Sequence, residues 1–168
     1  MSLSLYDASI PVYLRAFGVL DAILDKGEAH ALASGVDPAA LVGARLAPDM
    51  LPLAGQIQRA SDTSKAAAAR LTGTVSPSFP DEEKTFAELR ERIAKTVAYL
   101  EGLKPEQFEG AAERNVAWRS GSRTIEHDGS SHLLTFALPN FFFHVTTAYA
   151  ILRHQGVPLG KLDYLGAF

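Results

Sequence analysis

MLPLAGQIQRASDTSKAAAARLTG, residues 50–73, sets Met50, Leu53, Ile57, Ala60, Ser64, Ala67 and Leu71 at alternating steps of three and four. Such steps line one face of a helix, with Pro48-Asp49 opening the segment and Gly73 ending it. Ala66 to Ala69 let a second helix approach closely. The same periodicity recurs on both sides. Upstream, Tyr6, Ile10, Tyr13, Phe17, Leu20 and Leu24 predict a helix from about Ser4 to Leu32, ended by Ser34-Gly35. Asp37-Pro38 then supplies a capping side chain and a first-turn proline for a short helix over 38–45. Downstream, the prolines and serines of TVSPSFP, 74–80, read as a loop across one end of the fold. Thr85 and Glu88 have the capping-box spacing, and Phe86, Leu89, Ile93, Val97, Leu100 and Leu103 form the stripe of a third helix that stops by Lys104-Pro105.

Between Ala111 and Ala137 the helical period disappears. Ser120-Gly121 and Asp128-Gly129 mark turns between short runs carrying Val116, Trp118, Ile125, Leu133, Leu134 and Phe136, so a small β-hairpin is expected over 111–137. A last helix from about Leu138 carries Phe142, Val145, Tyr149 and Leu152 and meets Gly156 and Pro158. Four long amphipathic helices bury their stripes most readily against one another. The expected fold is therefore all-α, a four-helix bundle forming one domain over 1–168, with the hairpin inserted before the last helix.

Composition narrows the function classes. The chain has 168 residues, 47% hydrophobic and 21% charged, which is globular and not disordered. Sixteen Lys and Arg against nineteen Asp and Glu leave a net charge of −3 and no basic stripe, so no nucleic-acid partner is expected. With no Cys there is no thiol nucleophile, disulfide or cysteine metal site. The N-terminal residues lack the pattern of a signal peptide. Gly129 to Leu152 is free of charge and long enough to span a bilayer, but Pro139-Asn140, His132, His144, Thr146 and Thr147 argue for a strand and a buried helix instead. A soluble, cytoplasmic protein with no membrane partner is expected.

Chemistry-bearing motifs are sparse. The five histidines, at 30, 127, 132, 144 and 154, have no diagnostic metal spacing, and Ala148 stands where a helical partner of His144 would be. His127, Asp128 and His132 cluster across an apparent Asp-Gly turn and read as a solvated hairpin. His30 lies near a helix end. His144 follows Phe141, Phe142 and Phe143, an apolar setting in which it is either a hydrogen-bonded core histidine or a ligand or general base. Asp62 with Lys65, Glu88 with Arg92 and Glu91 with Lys95 read as helix-surface pairs. GVPLGKL, 156–162, lacks the spacing and the following Ser or Thr of a phosphate loop, and there is no GxSxG elbow.

LPNFFFHVTTAYAILRHQGVPLGKLDYLG, 138–166, together with PDMLPLAGQIQRASDTSKAAAARLTG, 48–73, resembles a bacterial branch of the DinB/YfiT-like helical proteins. The resemblance spans nearly the whole chain. It implies an up-down-down-up four-helix bundle, with an irregular crossover between the third and fourth helices, and a homodimer. It also implies a divalent metal held by one His of the second helix and two of the last, some members being thiol-dependent transferases or isomerases. At those positions this chain has Gln56, His144 and Ala148. One histidine of three remains, and a neutral amide is a poor ligand for zinc or nickel. No cofactor is expected beyond a weakly bound divalent metal for which His144 is the sole good donor. The catalytic residues and the reaction are unassigned. Either Gln56, His144 and Thr147 line a cavity for a small-molecule ligand, or the protein is a non-catalytic dimer on a degenerate metal site. The alternative is a divalent-metal-dependent enzyme of the thiol transferase or isomerase type.

Overall fold

The computed structural model describes residues 3–166, and its chain is mostly helical. Four long helices carry the core: α1 (Ile10–Ser34), α3 (Leu53–Thr72), α4 (Phe86–Glu101) and α6 (Leu138–His154), with α2 (Pro38–Val42) between the first two. Two antiparallel strands, β1 (Asn115–Ser120) and β2 (Arg123–Asp128), precede a short helical turn, α5 (Gly129–Ser131). A final helix, α7 (Lys161–Leu165), folds back onto α1. The long helices pack mainly as neighbours, α3 on α6 and α4 and α1 on α4 and α6, with a slighter contact between α1 and α3.

The apolar stripes of the first three long helices meet in one core, where Phe17, Leu20, Ile57, Ala60 and Leu89 are fully buried. On the last helix the buried face is turned from the expected one: Phe141 and Ile151 are fully buried beside Val145 and Leu152, while Phe142 and Tyr149 are half-buried. Tyr13 of α1 meets Phe141 edge to face at 4.7 Å between ring centroids. Further along α1, a Cβ on Gly27 would lie 3.0 Å from Leu152 and 3.3 Å from Phe86, so glycine permits three elements to converge there. Serine and threonine also enter the interior in pairs: the hydroxyls of Ser61 and Thr96 bond at 2.7 Å and tie α3 to α4.

Several boundaries follow the sequence cues. The Asp37 carboxylate caps α2 by accepting from the Ala39 N–H, and Gly73 ends α3 in the left-handed conformation at φ 72°. The Thr85–Glu88 capping box is complete at the start of α4. Others move. The first helix begins at Ile10 because Pro11 fits the first turn, while residues before it form a turn closed by the Ser9 hydroxyl on the Leu5 carbonyl at 2.5 Å. The second long helix begins at Leu53, after Pro52, so Met50 lies outside it.

The expected hairpin over 111–137 is a correction of larger scale. Only 115–128 pair as strands, in a register that sets Trp118 opposite Ile125 and Ser120 opposite Arg123, with Gly121 at φ 60° in the turn. Asp128 does not turn the chain into another strand. Its carboxylate accepts from the Ser131 N–H at 2.8 Å and the Ser131 hydroxyl at 2.9 Å, and so caps a helix. Residues 129–154 then run helically through a π-helical segment, His132–Ala137, into α6. The wider π turn shifts the apolar positions out of a 3.6-residue period, which is why Leu133, Leu134 and Phe136 did not read as helix. Among the described residues no helix is long and apolar enough to cross a membrane.

Candidate functional site

Gln56, three residues into α3, and His144, midway along α6, are 88 positions apart in sequence and hydrogen-bonded in space. The Gln56 amide nitrogen donates to the Leu51 carbonyl at 2.9 Å, which fixes the amide orientation. Its oxygen therefore accepts from His144 Nδ1–H, at 2.8 Å. Both side chains are buried. Burial, with the Arg59 cation as a lesser cause, pushes the His144 pKa down to about 4, so the ring is neutral at pH 7 with its proton on Nδ1. Its Nε2 lone pair has no hydrogen-bond partner among the described residues. An imidazole fixed through Nδ1 and open at Nε2 can accept one hydrogen bond or donate to one cation.

The surroundings are apolar. Phe143 packs edge to face on the His144 ring at 5.3 Å and is itself 54% exposed. Thr147, one turn along α6, donates its hydroxyl to the Phe143 carbonyl at 2.7 Å and lines a surface depression with Leu46, Phe143 and Thr146. Thr147 thus lies on the same helix as His144 without a hydrogen bond to it. Ala148 is fully buried in the core. Lower along the α3–α6 seam, the Asn140 amide donates to the Thr63 hydroxyl at 2.7 Å.

The model of a domain of unknown function, DUF1993, matches residues 5–165. The chain belongs to this family. It is also similar to a DinB family member protein from Shewanella denitrificans whose crystal structure is at 1.83 Å resolution. The two are 42% identical, with a TM-score of 0.89, over 98% of this chain and 93% of that one. This DUF1993 chain is accordingly a DinB-like domain. No functionally curated protein matches it.

A three-histidine metal centre does not fit the residues that the DUF1993 chain carries. Ala148 offers no donor, and the one amide oxygen of Gln56 is engaged by the imidazole that would be its fellow ligand. Among the described residues no three His, Asp or Glu side chains gather as a metal would require. Asp62 and His154 do not complete a site: Asp62 is engaged by Lys65, Arg59 and Arg92, and His154 is exposed at the end of α6.

Two clusters escaped the sequence reading. Arg92 and Lys65, whose helical spacing to Glu88 and Asp62 predicts solvated surface pairs, are both buried. Arg92 donates to Asp62 at 2.9 Å, Glu83 at 2.9 Å and the Pro80 carbonyl at 2.9 Å, and it lies 3.1 Å from Asp81. Lys65 is 3.1 Å from Asp62, 3.2 Å from the Pro77 carbonyl, and 3.7 Å above the Phe79 ring. These cations fasten the 74–85 loop to α3 and α4, and burial lowers the Lys65 pKa. Glu83 is pulled below the carboxylate range by Arg92 and Gln58 despite its partial burial. The pair Glu91–Lys95, by contrast, is an exposed contact at 2.6 Å, as expected. The second cluster surrounds His132, which is fully buried against Trp118 and not solvated.

Proposed function

We propose that this DUF1993 protein is a homodimeric, cytoplasmic four-helix bundle on which an ancestral metal centre has become a single-histidine site for a small polar ligand. The observation that carries the reading is the bond between His144 Nδ1 and Gln56 Oε1, the two positions at which the resemblance would set metal ligands, which leaves the other ring nitrogen without a partner among the described residues. A ligand that donates a hydrogen bond to Nε2 and lays an apolar edge on Phe143 matches this arrangement. The up-down-down-up order is supported by which residues meet. Tyr13 meets Phe141 and Gly27 meets Leu152, so α1 and α6 run alike. Gln56 with His144 and Thr63 with Asn140 set α3 against α6 in the opposite sense. All four helices then form one domain, with the hairpin as an insertion.

The competing reading is a divalent-metal-dependent enzyme, favoured by the unpartnered Nε2 and by the amide oxygen behind the ring, an arrangement that also supports metal-bound histidines. Metal analysis of untagged protein separates the two. The proposed reading predicts substoichiometric zinc, nickel, manganese and iron and no thermal shift when these ions are added, because tight binding to the native state must raise stability. A stoichiometric metal that is lost in a folded His144→Ala variant would establish the enzyme-type centre instead.

A further inference from the structure

The chain's single tryptophan, Trp118, is buried with Val116 on the β-hairpin, and the groups around its ring include one cation and two imidazoles that become cations in acid. Trp118 is 8% exposed. Its ring packs edge to face on His132 at 4.7 Å, against Phe136 at 4.8 Å, and beside His127 at 5.2 Å, while the Arg70 guanidinium of α3 lies 5.7 Å from its centroid. His132 is 0% exposed, and neither ring nitrogen has a hydrogen-bond partner; Nδ1 of His127 is likewise buried and unpaired.

A neutral imidazole tolerates such a site at the cost of two unmade hydrogen bonds, one donor and one acceptor. An imidazolium there would be a buried charge with no counter-ion, next to Arg70 and His127. Of the carboxylates on the adjoining elements, Asp128 is engaged by Ser131 at the start of α5, none acts on the His132 ring as Arg70 and His127 do, and β1 carries no acid. The stem of the hairpin is fastened differently. The Ser130 N–H donates to the Ala112 carbonyl at 3.1 Å, and a Cβ on Gly129 would fall 1.9 Å from the Ala111 carbonyl oxygen, so the chain is clamped at that point. Motion of 115–128 as a unit would pivot there and leave the long helices in place.

We propose that the β-hairpin is an acid-released flap, in which protonation of the buried His132 detaches Trp118 and uncovers the apolar surface beneath it. Burial, followed by Arg70 and His127, holds the His132 pKa down to about 4 while the flap is closed, against 6.5 when the ring is solvated. The open state therefore binds more protons between these values, and the open-to-closed ratio rises as pH falls. Between pH 7.5 and pH 5 the rise is about 30-fold.

Amide hydrogen exchange on the full chain, corrected for the intrinsic pH dependence of exchange, reads this ratio. The amides of 115–128 are expected to be less protected than those of α1 and α3 at every pH, and their protection to fall about 30-fold from pH 7.5 to pH 5. In His132→Phe that fall should vanish, and in His144→Phe it should persist. Hairpin amides as protected as the core helices, or a fall that survives in His132→Phe, would overturn the proposal. Should His132→Phe not fold, NMR titration of the wild-type His132 ring decides: a pKa near 4 is expected, and titration near 6.5 with the hairpin amides still protected would overturn it.

Discussion

The burial of His144 beside Gln56 keeps one proton off the folded state. Because burial lowers the His144 pKa from 6.5 to about 4, the unfolded chain takes up a proton at a pH where the folded chain does not. Its contribution to stability is complete above pH 6.5 and is lost as pH falls through that value toward 4. Urea unfolding at pH 7.5 and pH 5 should show that loss, and His144→Phe should reduce it, leaving the part due to His132, which shifts in the same direction. Removing the acceptor acts at neutral pH: Gln56→Ala strands the buried Nδ1–H and should cost about 1–3 kcal/mol in the same measurement. A second residue-scale test concerns Gly129. A methyl group 1.9 Å from the Ala111 carbonyl oxygen cannot be accommodated without moving the hairpin stem, so Gly129→Ala should destabilise the protein by about 2–3 kcal/mol in a thermal melt. Gly18, with open space around its would-be Cβ, is the control and should accept alanine with little change or a slight gain.

At the scale of elements, the loop 74–85 depends on charges that it does not own. Arg92 of α4 reaches carboxylates on the loop and on α3, so removing it strips Glu83 of its cation and leaves Asp62 and Asp81 to the half-exposed Arg59 and to Lys65. Arg92→Met should cost about 3 kcal/mol by chemical denaturation and expose the loop to proteolysis, whereas Lys95→Met, at a solvated pair, should change stability by less than about 0.5 kcal/mol. The contrast marks the limit of what periodicity conveys. Helix starts at Asp37, Thr85 and stops at Gly73 were legible because caps and stops act within four residues of one another. Arg92 was misread because its partners sit 9 to 30 positions away, on α3 and on a loop whose path no local pattern encodes. The α5–α6 run was missed for a different reason: a π turn breaks the 3.6 period, and Asp-Gly is as good a helix start as a turn. At the candidate site, the resemblance put Gln56 and His144 near one centre but not their hydrogen bond, and the burial of His132 had no sequence signal beyond its apolar neighbours.

For the molecule as a whole, the remaining question is what covers the face around His144. Leu46 and Leu51 are 42% and 44% exposed and Phe143 is 54% exposed. Leu46 and Phe143 share one depression, and the Leu51 carbonyl anchors the amide of Gln56. A cluster of large apolar side chains left in water beside a buried polar pair is the arrangement that association of two copies would relieve. If this face is where the proposed dimer forms, its stability must depend on protein concentration, since only the assembled state gains the burial. Light scattering from tens of micromolar down to sub-micromolar protein should show the mass halving, and the melting temperature should rise with concentration over the same range. Phe143→Ser should move the mass toward the monomer at concentrations where the wild type is dimeric. It should leave the monomer's own helicity intact, because the ring lies outside the core that Phe141 fills. A Phe143→Ser protein that remains fully dimeric would place the interface on another face and leave His144 open to solvent in both copies.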